Sequence, residues 1–155
     1  MNNIKLKFDN DGFIVNENLI NQNDLEAIEK WISELNDSKE VNHHYEKTVN
    51  GKVLSRTENF VSSHTSFREF LLSSSIKDYL TMLFDDEPIL FKEKINYKYP
   101  GGAGYAPHQD APAYPFGKKH ITMLLAIDDS DISNGCLEFA RGRNNEGIIL
   151  SLIHI

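Results

Sequence analysis

The chain has 155 residues, enough for one domain and too few for two full ones. Hydrophobic residues make up 40% and charged residues 25%, the balance of a soluble globular protein and not of a disordered one. Against 23 Asp and Glu stand 16 Lys and Arg, and the net charge of -7 argues against a general nucleic-acid binder, which needs a basic surface. No apolar run is long enough to cross a bilayer. The opening Met1-Asn2-Asn3-Ile4-Lys5 has no apolar stretch of signal-peptide length behind it, so a cytoplasmic protein acting away from membranes is expected. The single cysteine, Cys136, excludes an internal disulfide and a cysteine-only metal site.

Phe8-Asp9-Asn10-Asp11-Gly12-Phe13-Ile14-Val15 reads as a turn feeding a short apolar strand. A helix should follow, capped by Asn23 or Asp24, with Leu25, Ile28, Ile32 and Leu35 at helical spacing and Asn36-Asp37-Ser38 ending it. Asn50-Gly51 predicts a tight hairpin within Tyr45 to Leu54, because both residues tolerate positive φ. From Ser66 to Phe84 an apolar stripe is broken near Ser73-Ser74-Ser75, which predicts two short helices. Beyond Pro88 the character turns to β. Strands are expected over Ile89 to Lys98, at Ala106 to Asp110, over His120 to Ile127 and at Cys136 to Phe139. Between them lie a loop at Pro100-Gly101-Gly102-Ala103-Gly104, a second loop from Ala111 to Lys119, and a polar turn from Asp128 to Gly135. Helices followed by a run of strands predict an α+β domain with a largely antiparallel core.

The chemistry concentrates at His108-Gln109-Asp110. In a strand, residues i and i+2 face the same side, so His108 and Asp110 can aim a ring nitrogen and a carboxylate oxygen at one ion. Two histidines and a carboxylate with open positions suit non-haem Fe(II). Taken alone, His-x-Asp is common by chance, and a polar strand end facing solvent explains it as well.

The surrounding series is more specific. Phe91-Lys92-Glu93-Lys94-Ile95-Asn96-Tyr97-Lys98 leads to Pro100-Gly101-Gly102, then Pro107-His108-Gln109-Asp110, a further strand, and Asn134-Gly135-Cys136-Leu137-Glu138-Phe139. This series, with Asp11-Gly12-Phe13-Ile14-Val15 before it, resembles the phytanoyl-CoA dioxygenase family of Fe(II)- and 2-oxoglutarate-dependent oxygenases, from about Phe8 to Gly147. Within that family the Lys-Ile-Asn strand and the His-Gln-Asp-Ala run look closest to hydroxylases of small charged metabolites, such as aminoalkylphosphonates and ectoine. The resemblance implies a double-stranded β-helix (a jelly roll, cupin-like) with helices packed on one side. His108 and Asp110 would be two of three protein ligands to Fe(II). 2-Oxoglutarate and dioxygen would be co-substrates, and a small molecule would be hydroxylated.

Further candidates surround that pair. Lys92, Lys94, Asn96 and Lys98 share one strand face, which ordinarily meets solvent but in a jelly roll can line a cavity. Lys94 and Asn96 match family positions that point toward the cavity, where a lysine would pair with a carboxylate or phosphonate. Tyr105 matches a position where relatives place an aromatic beside 2-oxoglutarate, although its strand parity is wrong and core packing explains it equally. Thr122 lies where relatives bind 2-oxoglutarate; a buried hydroxyl bonded to nearby backbone is the alternative. Gln109 should point away from its neighbours. His43 and His44, adjacent in a strand, should face opposite ways. His64 has no partner at a recognisable spacing, His120 reads as a surface residue and Cys136 as a small buried hydrophobe. Arg143-Asn144 departs from the Gly-Ser-His common in the family.

The family's second histidine and the arginine that grips 2-oxoglutarate come several dozen residues after the Asp, on a late strand. Here the last histidine is His154, within Leu150-Ser151-Leu152-Ile153-His154-Ile155, with no arginine behind it. That hexapeptide is also the translation of a transposon end sequence used to prepare sequencing libraries. Residues 150–155 are therefore expected to be a non-native tail, and 1–149 the N-terminal part of a single longer domain whose C-terminal strands are missing. A fragment with two ligands should be inactive. The alternatives are a non-catalytic jelly-roll module that binds a metal or small molecule, and a compact triad completed by His154.

Overall fold

The computed structural model describes residues 2–49, 51–100, 104–114 and 119–148. Asn50, the glycines Gly101 and Gly102, part of the loop after Ala111, and the tail with His154 lie outside the described residues. In chain order the elements are α1 (Asn2–Asp11), α2 (Gln22–Asn36), β1 (Asn42–Thr48), β2 (Gly51–Glu58), α3 (Thr65–Leu71), α4 (Ser74–Phe84) and β3 (Lys94–Asn96), with 3-10 turns at Ala111–Ala113 and Arg143–Glu146. No helix among the described residues is long and apolar enough to cross a membrane.

The residues divide into two compact units, one of Glu17–Asp78 with Pro88–Ala103, the other of Met1–Asn16, Tyr79–Glu87 and Gly104–Ile155. The first unit carries most of the buried side chains. Helix α2 starts at a capping box: Asn21 accepts from the Asp24 N–H at 3.0 Å while Asp24 accepts from the Asn21 N–H at 3.1 Å. The cap is thus Asn21, ahead of the expected Asn23 or Asp24, because only position N3 lets the Asp24 carboxylate reach back. The period buries Ile28 and Leu35 as read from the sequence. Trp31 lies 5.3 Å from the Phe67 ring of α3, and Phe60 lies 4.7 Å from it. Phe60 and Phe67 are buried, and each such side chain stabilises by about 1.5–3 kcal/mol.

The sheet has the order β1-β2-β3, antiparallel throughout. Thr48 pairs with Gly51, so Gly51, with φ +114°, is the first residue of β2. The two helices expected between Ser66 and Phe84 are α3 and α4.

The β region is thinner than the sequence predicts. Of Ile89 to Lys98, only Lys94–Asn96 is strand, paired with Arg56 to Glu58 of β2. Phe13-Ile14-Val15, Ala106 to Asp110, Ile121 to Ile127 and Cys136 to Phe139 form no ladder. Ile121, Met123, Leu125 and Ile127 are half-buried while Thr122, Leu124 and Ala126 are exposed, the alternation of a strand. Alternation sets which side chains turn inward; a ladder also needs a neighbouring backbone, and none pairs with this segment among the described residues. The double-stranded β-helix is therefore not formed among them. The architecture is α+β, helices with one small antiparallel sheet.

In the second unit α1 reaches Asp11, through residues expected to form a turn. Gly12 ends it at φ +80°, donating its N–H to the Phe8 carbonyl at 2.8 Å. Phe13 then stacks on Phe139 with ring centroids 4.9 Å apart, and Arg141 pairs with Asp11 at 2.8 Å.

Candidate functional site

Residues 104–110 have no regular structure, so His108 and Asp110 are not brought together by strand parity. Local hydrogen bonds do it instead. Asp110 opens the 3-10 turn, its carbonyl accepting the Ala113 N–H at 3.0 Å, with Pro112 supplying a preset φ. Its side chain makes no capping bond and is left for tertiary contacts. His108 Nδ1 lies 2.8 Å from the Ala106 carbonyl, which can only accept. The Nδ1 position thus carries a proton, and in a neutral ring Nε2 is left with a lone pair, the tautomer a metal-ligating histidine needs.

That Nε2 lies 3.6 Å from Asp110 Oδ1. Metal–nitrogen and metal–oxygen bonds are about 2.0–2.2 Å, so one ion can touch both atoms. The other carboxylate oxygen, Oδ2, accepts a 2.6 Å hydrogen bond from Thr122 Oγ1. Both side chains are about half exposed, at 52% and 43%, so water can complete the coordination sphere. The donor set and the tautomer fit a divalent cation at two positions. Among the described residues, no group of three or more His, Cys, Asp or Glu is arranged to hold one.

Residues 8–150 match the phytanoyl-CoA dioxygenase (PhyH) family model. This chain belongs to the phytanoyl-CoA dioxygenase family. It is 38% identical over 142 residues to a methylphosphonate hydroxylase of Gimesia maris, covering 89% of this chain and 55% of that one. It is 38% identical over 150 residues to a 2-aminoethylphosphonate dioxygenase of an uncultured bacterium, covering 92% and 57%. To the dioxygenase lolE1 of Epichloe uncinata it is 33% identical over 134 residues, covering 83% and 52%. The chain thus spans about half the length of these curated relatives. No solved structure matches it.

The other candidate positions of this phytanoyl-CoA dioxygenase family member are distributed as follows. Tyr105 is 69% exposed, its ring 6.4 Å from that of His108. Thr122 is exposed, not buried, and its hydroxyl bonds to a carboxylate and not to backbone. Gln109 turns away from its neighbours and donates to the Gly147 carbonyl at 3.0 Å. Lys94 and Asn96 are exposed residues of β3 and belong to the other unit. His43 and His44 part as expected: His43 faces Thr57 and Ser38, His44 faces Glu58. His64 has a partner after all. It caps α3 by accepting the Phe67 N–H at 3.1 Å and holds Glu34 at 3.0 Å. His120 is exposed and packs its ring near Tyr114, and Cys136 is half-buried. Arg143 pairs with Glu146 at 2.7 Å.

Two buried polar groups were not evident in the sequence. Glu58 is a nearly buried carboxylate, with Lys92 and Arg56 each 3.0 Å from Oε1 and His44 3.3 Å from Oε2. Burial alone would raise its pKa, but the Lys92 hydrogen bond and the charges of Arg56, Lys92 and His44 outweigh that and lower it. Thr57, fully buried, connects His43 Nδ1 at 3.0 Å to the Tyr97 hydroxyl at 3.1 Å. The spacing Arg56-x-Glu58, with Lys92 on a later segment, is a faint sequence signal for the first; the second has none.

Proposed function

We propose that the protein is part of an Fe(II)- and 2-oxoglutarate-dependent dioxygenase that hydroxylates a small molecule bearing an anionic group, of the phosphonate class. The observation that carries this reading is the His108–Asp110 pair, 3.6 Å apart, with Nδ1 turned to the Ala106 carbonyl and Nε2 facing the carboxylate. It stands inside a chain matching the family over residues 8–150. His108 Nε2 and Asp110 Oδ1 would hold the iron. When bound, iron and 2-oxoglutarate supply the oxidising power for C–H hydroxylation by dioxygen.

This chain's own residues would bind and orient the reactants. Tyr105 and Thr122 lie in the same unit as the pair and are the positions proposed to border 2-oxoglutarate. Lys94 and Asn96 are proposed to meet an anionic group, Lys94 by charge and Asn96 by its amide. Relatives named for methylphosphonate and 2-aminoethylphosphonate support that class of substrate. Because this chain spans about half the length of those relatives, the activity and the enclosing jelly roll are proposed for a protein of their length. The 155-residue chain alone should not turn over, since two ligands hold Fe(II) weakly.

Anaerobic titration of a full-length protein with Fe(II), with and without 2-oxoglutarate, tests the reading. A visible charge-transfer band that needs both additions and disappears in His108→Ala is the expected result. No band, or the same band in His108→Ala, would overturn it. Succinate release that depends on a small phosphonate would fix the substrate class.

A further inference from the structure

We infer that Thr122 is a positioning residue for Asp110, one that holds its carboxylate in a one-oxygen, metal-facing orientation. This rests on the reading of His108 and Asp110 as metal ligands. A carboxylate can bind an ion through one oxygen or both, and an unrestrained aspartate on an exposed turn rotates among these arrangements. Here the two oxygens are differentiated. Oδ1 faces His108 Nε2 at 3.6 Å, and Oδ2 accepts the Thr122 hydroxyl at 2.6 Å. At that length the bond is in the strong, charge-assisted range. An oxygen so engaged is drawn off the metal, and Oδ1 alone is offered. One-oxygen binding leaves an additional coordination position for other ligands.

The hydroxyl has a single hydrogen, and Asp110 takes it. Thr122 therefore has no hydrogen left for a carboxylate of 2-oxoglutarate, and its role toward that co-substrate is indirect. The three side chains form a graded set. The Asp110 backbone is fixed by the 3-10 turn, its side chain by Thr122, and the His108 ring by the Ala106 carbonyl at 2.8 Å. Outer partners of this kind typically govern metal affinity by about 10–100-fold.

The test is Mn(II) affinity of the purified 155-residue chain, by the loss of free-ion paramagnetic resonance signal, for the parent, Thr122→Val, Thr122→Ser, His108→Ala and Asp110→Ala. Thr122 is exposed, so valine should fold, and far-ultraviolet circular dichroism checks that it does. Thr122→Val should weaken binding about 10–100-fold while Thr122→Ser, which keeps the hydroxyl, stays near the parent. If His108→Ala and Asp110→Ala lose binding but Thr122→Val does not, the positioning role is refuted and the metal site stands. Loss in Thr122→Ser equal to that in Thr122→Val refutes it as well, since the hydroxyl would not be what matters. Unchanged binding in His108→Ala and Asp110→Ala refutes the metal site on which the inference rests.

Discussion

Lys92 Nζ lies 3.0 Å from Glu58 Oε1, tying the approach to β3 to the last residue of β2. With Arg56 and His44 also at the carboxylate, Glu58 keeps a folded-state pKa below its ordinary value, despite burial that pushes the other way. The folded pKa is below the unfolded one, so the stabilisation is fully present above the unfolded glutamate pKa. It is lost as pH falls through the folded value. Melting temperature measured against pH should drop on the acid side of the glutamate range, and Glu58→Gln should flatten that drop. Lys92→Met, which keeps the stem and removes the charge, should cost about 1–2 kcal/mol by urea denaturation at neutral pH, between an exposed and a buried pair.

Thr57 is the middle of a chain of hydroxyls and imidazole. Its hydroxyl lies 3.0 Å from His43 Nδ1 and 3.1 Å from the Tyr97 hydroxyl, while His43 Nε2 faces the Ser38 carbonyl at 3.1 Å. Thr57→Val removes the hydroxyl that partners both groups and should destabilise by about 1–3 kcal/mol. Burial raises the Tyr97 pKa and the Thr57 bond partly offsets that, so the valine should raise it further. The folded pKa is above the unfolded one. The contribution therefore holds at neutral pH and is lost as pH rises through the folded value. Alkaline spectrophotometric titration, with Tyr97→Phe to assign the signal, reads both effects.

His64 begins α3 with a ring nitrogen where Ser, Thr, Asp or Asn is usual. His64→Ala should cost about 1 kcal/mol, while His64→Asn, which offers a capping oxygen, should recover much of it. Urea midpoints at constant slope measure the difference.

A side chain at Gly12 meets two obstacles. The backbone has φ +80°, and a Cβ would come within 2.7 Å of Asn144 Oδ1. Gly12→Ala should lose about 1–2 kcal/mol from the left-handed backbone alone, with the collision added. Thermal melts of Gly12→Ala and of Gly12→Ala with Asn144→Ala should separate the parts. The second change removes the collision and leaves the backbone cost.

Much of the helical half was legible from periodicity. Ile28 and Leu35 repeat at the helical period, and Ser73-Ser74-Ser75 marks the break between α3 and α4, so local pattern and outcome agree. The strands were less so. Ile121 to Ile127 has the strand alternation and lacks a ladder partner, a property of another part of the backbone that its own residues do not encode. The i, i+2 spacing marks His108 and Asp110 as a pair, yet what aligns them is the Ala106 carbonyl and a 3-10 turn. The Thr122–Asp110 bond is not legible in the sequence, because a contact across 12 residues between two side chains leaves no periodic trace.

Asp11 and Arg141 are separated by 130 residues, and Asn144 reaches back 135 to the Asp9 carbonyl. At a ribosomal speed of about 5–20 residues per second, the first helix waits on the order of ten seconds for these partners. The unit built from Glu17–Asp78 and Pro88–Ala103 can close during that interval, since all of its residues have already emerged. Assembly during synthesis should therefore begin in the interior of the polypeptide and finish at its beginning, with α1 the last of the helices to gain protection from exchange.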